Sequence, residues 1–225
     1  MNFLQLCQRT REKCGISGSG PAAVTGQSGE MLRIVNWVNE AWMDIQTSRT
    51  NWMWMRGEFT FNTVAAQQAY SVTEAGVAAT FSKWWMDTLR IYRTAVGVND
   101  EQHLHETEYA SFRDVYQFSH RMTGRPTAVS VRPWDMALLL GPVPTDVCTV
   151  VGEYQKKAAE MVAGTDTPSL PSDYHMLIVY GAMERYAYHE AAPEVMAGVQ
   201  EHYDRLRGAL YDNQMPDFSI GGPLA

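Results

Sequence analysis

His103 and His105 stand two residues apart, with Glu106 directly after them. On a strand, residues i and i+2 share a face, so the two imidazoles could bind one metal ion there. Such a site needs a third ligand, and none stands nearby at a recognisable spacing. Asp100 and Glu101 are adjacent carboxylates, a pairing that solvated surfaces often carry without acid–base work. The loop GISGSG, residues 15–20, has the glycine content of a phosphate cradle. It lacks a preceding strand and the closing Lys-Ser/Thr of a P-loop, and it misses the GxSxG register of a nucleophile turn. A flexible connector is expected there.

The densest polar cluster is SLPSDYHMLIVYGAMERYAYHE, residues 169–190. It holds His175, His189, Glu184 and four tyrosines, Tyr174, Tyr180, Tyr186 and Tyr188. Met176, Val179, Tyr180, Met183, Tyr186 and Ala187 recur at intervals of three and four, which marks one face of a helix as core. His175 and His189 would lie about 21 Å apart along that helix and cannot share a metal. Glu184-Arg185 reads as a solvated face. The stretch is a packed helix with aromatic ends. No spacing joins a nucleophile, a base and oxyanion donors, so no catalytic residue, metal or cofactor is expected.

The elements around these residues follow from periodicity. Residues 2–13 form a short amphipathic helix with Phe3, Leu6 and Cys7 on one side. A second helix begins near Gly29-Glu30, with Met31, Ile34, Val35, Val38, Ala41, Trp42 and Ile45 as its stripe. After Arg56 the pattern alternates, and strands are expected at 58–62, 67–72, 88–95, 127–132, 136–140 and 147–154. A short helix from Glu106 to Tyr116 interrupts them. Helices return after 168, with Ser172 at an N-cap position, and Pro193 opens another helix carrying Val199, Leu206 and Leu210. Pro216, Gly221, Gly222 and Pro223 then argue for an extended tail.

The expected fold is therefore α+β. A helical bundle drawn from both chain ends, 1–57 and 158–212, carries an inserted antiparallel sheet or sandwich, 58–157, and an extended tail, 213–225. Val38, Trp42, Ile45, Met183, Val199 and Leu206 are expected in the bundle core.

Composition narrows the function. The chain has 225 residues, 45% hydrophobic and 19% charged, with a net charge of −7. So acidic a chain is a poor general binder of phosphate backbones. Low charge with abundant Trp and Met suits a surface partly buried against other chains. Cys7 and Cys14 would sit about 10 Å apart on one helix, too far for a bridge, so free thiols are expected. The first residues lack the long apolar run of a signal peptide or membrane span.

Four stretches carry a resemblance. They are GISGSGPAAVTGQSGEMLRIVNWVNEAWMDIQ, NWMWMRGEF, TGRPTAVSVRPWDMALLLGPVP and LPSDYHMLIVYGAMERYAYHEAAPEV. Across roughly residues 3–212 the chain resembles the head-to-tail connector (adaptor) proteins of tailed bacteriophages. The resemblance implies a non-enzymatic virion protein of the neck between capsid and tail, made in the host bacterial cytoplasm. It implies a ring, commonly of twelve copies, that docks on the portal protein and receives tail or nozzle proteins. Genomic DNA would pass through at ejection without specific binding, and no membrane is involved. Phe218 and Ile220 would anchor the tail segment on the portal or on a neighbouring subunit. Two other readings stay open: a neck or tail component that never touches the portal, and a small metal-dependent hydrolase using His103 and His105.

Overall fold

The computed structural model describes residues 1–118 and 121–215. In chain order the elements are α1 (Phe3–Lys13), α2 (Gly29–Thr47), β1 (Arg56–Asn62), β2 (Ala69–Tyr70) and β3 (Phe81–Arg93). Next come β4 (Gln102–His103), β5 (His105–Glu106), α3 (Tyr109–Tyr116), β6 (Thr123–Gly124) and β7 (Ala128–Val131). β8 (Leu138–Gly141), β9 (Val143–Pro144), β10 (Cys148–Lys156), α4 (His175–Glu190) and α5 (Pro193–Asn213) complete the order. The protein is mixed α+β and divides into two compact units. One contains residues 1–54 and 158–225, the other 55–157.

In the helical unit, α1 starts on a capping box. Asn2 accepts from the Gln5 backbone N–H and the Gln5 side chain accepts from the Asn2 N–H, each at 2.9 Å. α2 buries Ile34, Val35, Val38, Ala41, Trp42 and Ile45 on one stripe. α4 packs against α1, α2 and α5. It therefore buries more than one face, with Leu177, Ile178, Val179, Ala182 and Met183 all inside. Gly181 makes the close approach possible. A Cβ there would stand 3.1 Å from the Ala41 Cβ and 3.3 Å from the Tyr203 ring. Val199 and Leu210 of α5 are buried, whereas Leu206 is only partly covered. The reason is placement: α5 packs chiefly on α4, so its stripe has one neighbour to fill against.

The expected Ser172 cap is corrected. Ser172–Tyr174 form a 3₁₀ turn, α4 starts at His175, and no side chain caps it. The Ser172 hydroxyl meets the Asp173 carboxylate at 3.3 Å instead.

In the β unit, one sheet runs β1-β10-β3-β4 and another β2-β8-β7-β5, with a two-stranded pair β6-β9. The first sheet is antiparallel throughout, from Arg56↔Gln155 to Asn62↔Thr149 and from Cys148↔Arg93 onward. The pairs β5–β7 and β6–β9 are parallel, against the antiparallel expectation. At Leu104 the chain leaves β4, the partner of β3, and joins the second sheet. Leu104 N–H bonds the Leu89 carbonyl at 3.1 Å, and His105 N–H bonds Thr127 at 2.9 Å. That step brings β5 alongside β7 in the same direction. Phe59, Phe61, Trp84, Leu89, Ile91, Val150 and Tyr154 of the first sheet share one apolar cluster with Tyr70, Val129, Leu138 and Leu140 of the second.

β3 is longer than expected, because Phe81–Asp87 lack the apolar–polar alternation that would announce a strand. Its register with β10 shifts between Val151 and Glu153, a bulge centred on Gly152.

Candidate functional site

The residues that could have done chemistry are spread over separate elements. His103 and His105 fall on different strands in different sheets, with the fully buried Leu104 between them. Their rings stand 5.5 Å apart, and the His103 Nε2–H donates to the Asp87 carbonyl at 3.1 Å. Among the described residues no group of three or more His, Cys, Asp or Glu converges as metal ligands would.

Asp100 is a clamp. Its carboxylate accepts two bonds from the Arg93 guanidinium at 3.1 Å, one from the Arg93 backbone at 3.0 Å and one from Arg125 at 2.9 Å. The hydrogen bonds from Arg93, together with the Arg125 charge, hold its carboxyl far below the usual range. A carboxylate so committed cannot serve as a general acid or base near neutrality. Arg93 and Arg125 were invisible as partners in the sequence, since they reach Asp100 across 7 and 25 residues.

The GISGSG loop is anchored rather than free. The Arg11 guanidinium donates to the Ile16 carbonyl at 2.8 Å and also to the Gly18 carbonyl. Gly15 and Gly18 have φ of 70° and 95°, which turns the chain back over the end of α1. A phosphate cradle aims N–H groups at its ligand, whereas this loop aims carbonyls at a cation.

The 169–190 stretch is built into the helical unit. His175 is 3% exposed. Its Nε2–H donates to the Leu170 carbonyl at 3.0 Å, and the Met1 amine lies 2.6 Å from Nδ1. Burial lowers its pKa. His189 packs edge-on against Trp37 at 5.5 Å. Glu184 and Arg185, expected on a solvated face, are each partly covered. Arg185 bridges to Glu40 at 3.2 Å and to Asp44, tying α4 to α2. Burial pushes the Cys7 and Cys14 thiols up to about 12, and all three cysteines are free.

One surface turn is rich in aromatic and arginine side chains. Trp134 is 70% exposed at the turn between β7 and β8. That turn is rigid: Arg132 and Asp135 pair through two bonds of 2.8 and 2.6 Å, and the Trp84 indole N–H donates to the Met136 carbonyl at 2.7 Å. Tyr109 meets Trp134 edge-on at 5.7 Å. Tryptophan, tyrosine and arginine are the residues that most often dominate protein interfaces. No helix among the described residues is long and apolar enough to cross a membrane. Phe218 and Ile220 lie outside the described residues.

A family model described as SU10 adaptor protein matches residues 1–222 of the chain. No curated protein matches it.

Proposed function

The chain belongs to the SU10 adaptor protein family, a family of phage head-to-tail adaptors, and from that premise we propose a non-enzymatic ring subunit that docks on the portal. The match over residues 1–222 is the observation that carries this reading. The ring, commonly twelve copies in the resemblance, would close through a heterologous interface in which each copy both gives and receives. The helical unit drawn from both chain ends forms the ring body, and the β unit faces outward or toward the tail. Phe218 and Ile220 anchor the C-terminal segment on the portal or a neighbour.

Charge supports the assignment of the helical unit to the DNA passage. That unit holds 14 acidic and 8 basic residues, a net of −6, while the β unit holds 11 and 10, a net of −1. Twelve copies at −7 each carry about −84, a charge that favours sliding of DNA over binding. Copies would be made in the host cytoplasm and end in the virion neck.

Sedimentation of the purified protein with portal rings, followed by electron microscopy of intact particles, tests the proposal. Density for the chain between portal and tail is the expected result. Density only on the tail side, without portal contact, would replace it with the neck or tail component. Elemental analysis separates the hydrolase reading: it requires one metal per chain, lost in a His103/His105 double alanine variant.

A further inference from the structure

Among the described residues β1 is the outermost strand of its sheet, and its seven residues pair with β10 alone. Thr63 N–H bonds the Cys148 carbonyl at 2.7 Å, just beyond the strand. In an antiparallel ladder the bonded positions alternate, so Phe61 and Phe59 also turn their backbone toward β10. Glu58, Thr60 and Asn62 turn theirs outward, and all three are exposed. β1 carries no proline, lysine or register shift, three of the devices that keep a sheet edge from pairing, although Arg56 and Glu58 leave charge on its first half. An open cleft of about 640 Å³ is lined by Glu58, Phe59 and Thr60 of this strand and by Ala75–Val77, and it extends inward over Val151–Tyr154 of β10 to Thr88 of β3. Phe59 and Phe61 at this edge keep 7% and 8% exposure, whereas Leu89 and Ile91 deeper in the same sheet have none.

The sequence supplies a strand that fits. Residues 217–220 read Asp-Phe-Ser-Ile, alternating polar and apolar with the period of a half-buried strand. Ten residues, 216–225, follow the last described position, enough chain to cover an edge of seven. We infer that the free edge of β1 takes residues 217–220 of a second copy as an added strand, with Phe218 and Ile220 on the side of Phe59 and Phe61. Ser219 then shares a face with Glu58, Thr60 and Asn62. Backbone bonds hold the segment, and the two apolar side chains set its register. This rests on the reading of the chain as a ring subunit, and it names the neighbour's β1 as the receiving surface.

Paired cysteines test it in assembled particles. Glu58→Cys, Thr60→Cys and Asn62→Cys are each combined with Ser219→Cys, and the single variants control for Cys7, Cys14 and Cys148. The expected result is a disulfide-linked ladder of two or more copies for at least one pair and for no single variant. Absence of the ladder in all three pairs, or a bond closed within one chain, overturns the inference. Protection of the β1 amides in particles without any link to residue 219 would give the edge to another protein and also overturn it. Thr60→Pro is an independent check, because it removes an outward N–H that has no bond among the described residues. It should leave the unfolding midpoint unchanged and abolish the Asn62–Ser219 or Glu58–Ser219 link, while Thr60→Val retains it; retention of the link in Thr60→Pro overturns the inference. If the chain is missing from particles, the ring-subunit reading fails first. The same links are then sought in the purified protein, where their absence sinks the strand exchange.

Discussion

The Trp42 indole N–H donates to the Ala159 carbonyl at 2.9 Å, across 117 residues of chain. Gln46 completes the contact, donating to the same carbonyl at 3.0 Å and accepting from the Ala159 N–H at 3.1 Å. About two turns before Gln46 on α2, Asn39 repeats the arrangement with Met161 at 3.1 and 2.9 Å. Side-chain amides on a helix thus stand in for a neighbouring strand and satisfy the segment that returns from the β unit.

Trp42→Ala should lower stability by about 3–5 kcal/mol, since it empties a site that is 3% exposed. Gln46→Leu should cost about 0.5–1.5 kcal/mol for each of the two bonds it removes from the Ala159 backbone, which stays partly open to water and keeps the Trp42 bond. Urea unfolding midpoints check both. An unchanged midpoint for Trp42→Ala would show that α2 does not bury this stripe.

Asp100 should make stability fall in acid. Its folded pKa is depressed, so its contribution is complete above the unfolded value of about 3.9 and is lost as pH falls through the lower folded value. Asp100→Asn should be less stable than the parent at pH 7, and the two should converge toward pH 2. A gap of constant size across that range would show that the Arg93–Asp100–Arg125 clamp adds nothing through charge.

His175 acts over a different window. Its folded pKa lies below the ordinary 6.5 because the ring is desolvated. As pH falls from about 6.5 toward the folded value, the unfolded chain takes up a proton that the folded chain does not, so stability declines through that window and is highest above it. His175→Gln should flatten the decline between pH 7 and pH 5, read as the slope of the unfolding free energy against pH.

Gly152→Ala should destabilise the β unit by about 1–3 kcal/mol, the usual range for forcing atoms into a packed core. The new methyl would stand 2.5 Å from the Leu89 Cδ2 and 3.2 Å from the Phe59 ring, and Leu89 is fully buried. Thermal unfolding measures it; a wild-type midpoint would mean that the bulge opens without cost.

What could be read from the sequence was what periodicity encodes. The stripe from Ile34 to Ile45 placed α2 to within a few residues of its ends, and alternation found β1 at Glu58–Asn62 inside Arg56–Asn62. The start of β3 was hidden because Trp84, Trp85 and Met86 form an apolar run without a period. The role of Asn39 was hidden because an amide gives no hydropathy signal, yet it bonds Met161. The parallel β5–β7 pair was also invisible, because it depends on where the chain turns at Leu104 rather than on side-chain pattern. Of the candidate chemistry, the Asp100 clamp depends on Arg125, a partner set by tertiary folding alone. The bundle residues Val38, Trp42, Ile45, Met183 and Val199 are buried in the structure, and Leu206 is partly so.

The β unit begins and ends on strands that are neighbours, with Arg56 opposite Gln155. Paired residues of an antiparallel ladder lie only about 4.5–5.5 Å apart. A module whose two ends nearly touch can be removed, enlarged or exchanged for another while its host keeps almost the same gap between its own cut ends. Residues 55–157 are thus a natural segment to excise, and a short turn joining Trp54 to Ala158 is the bridge to build in a cut-down helical protein.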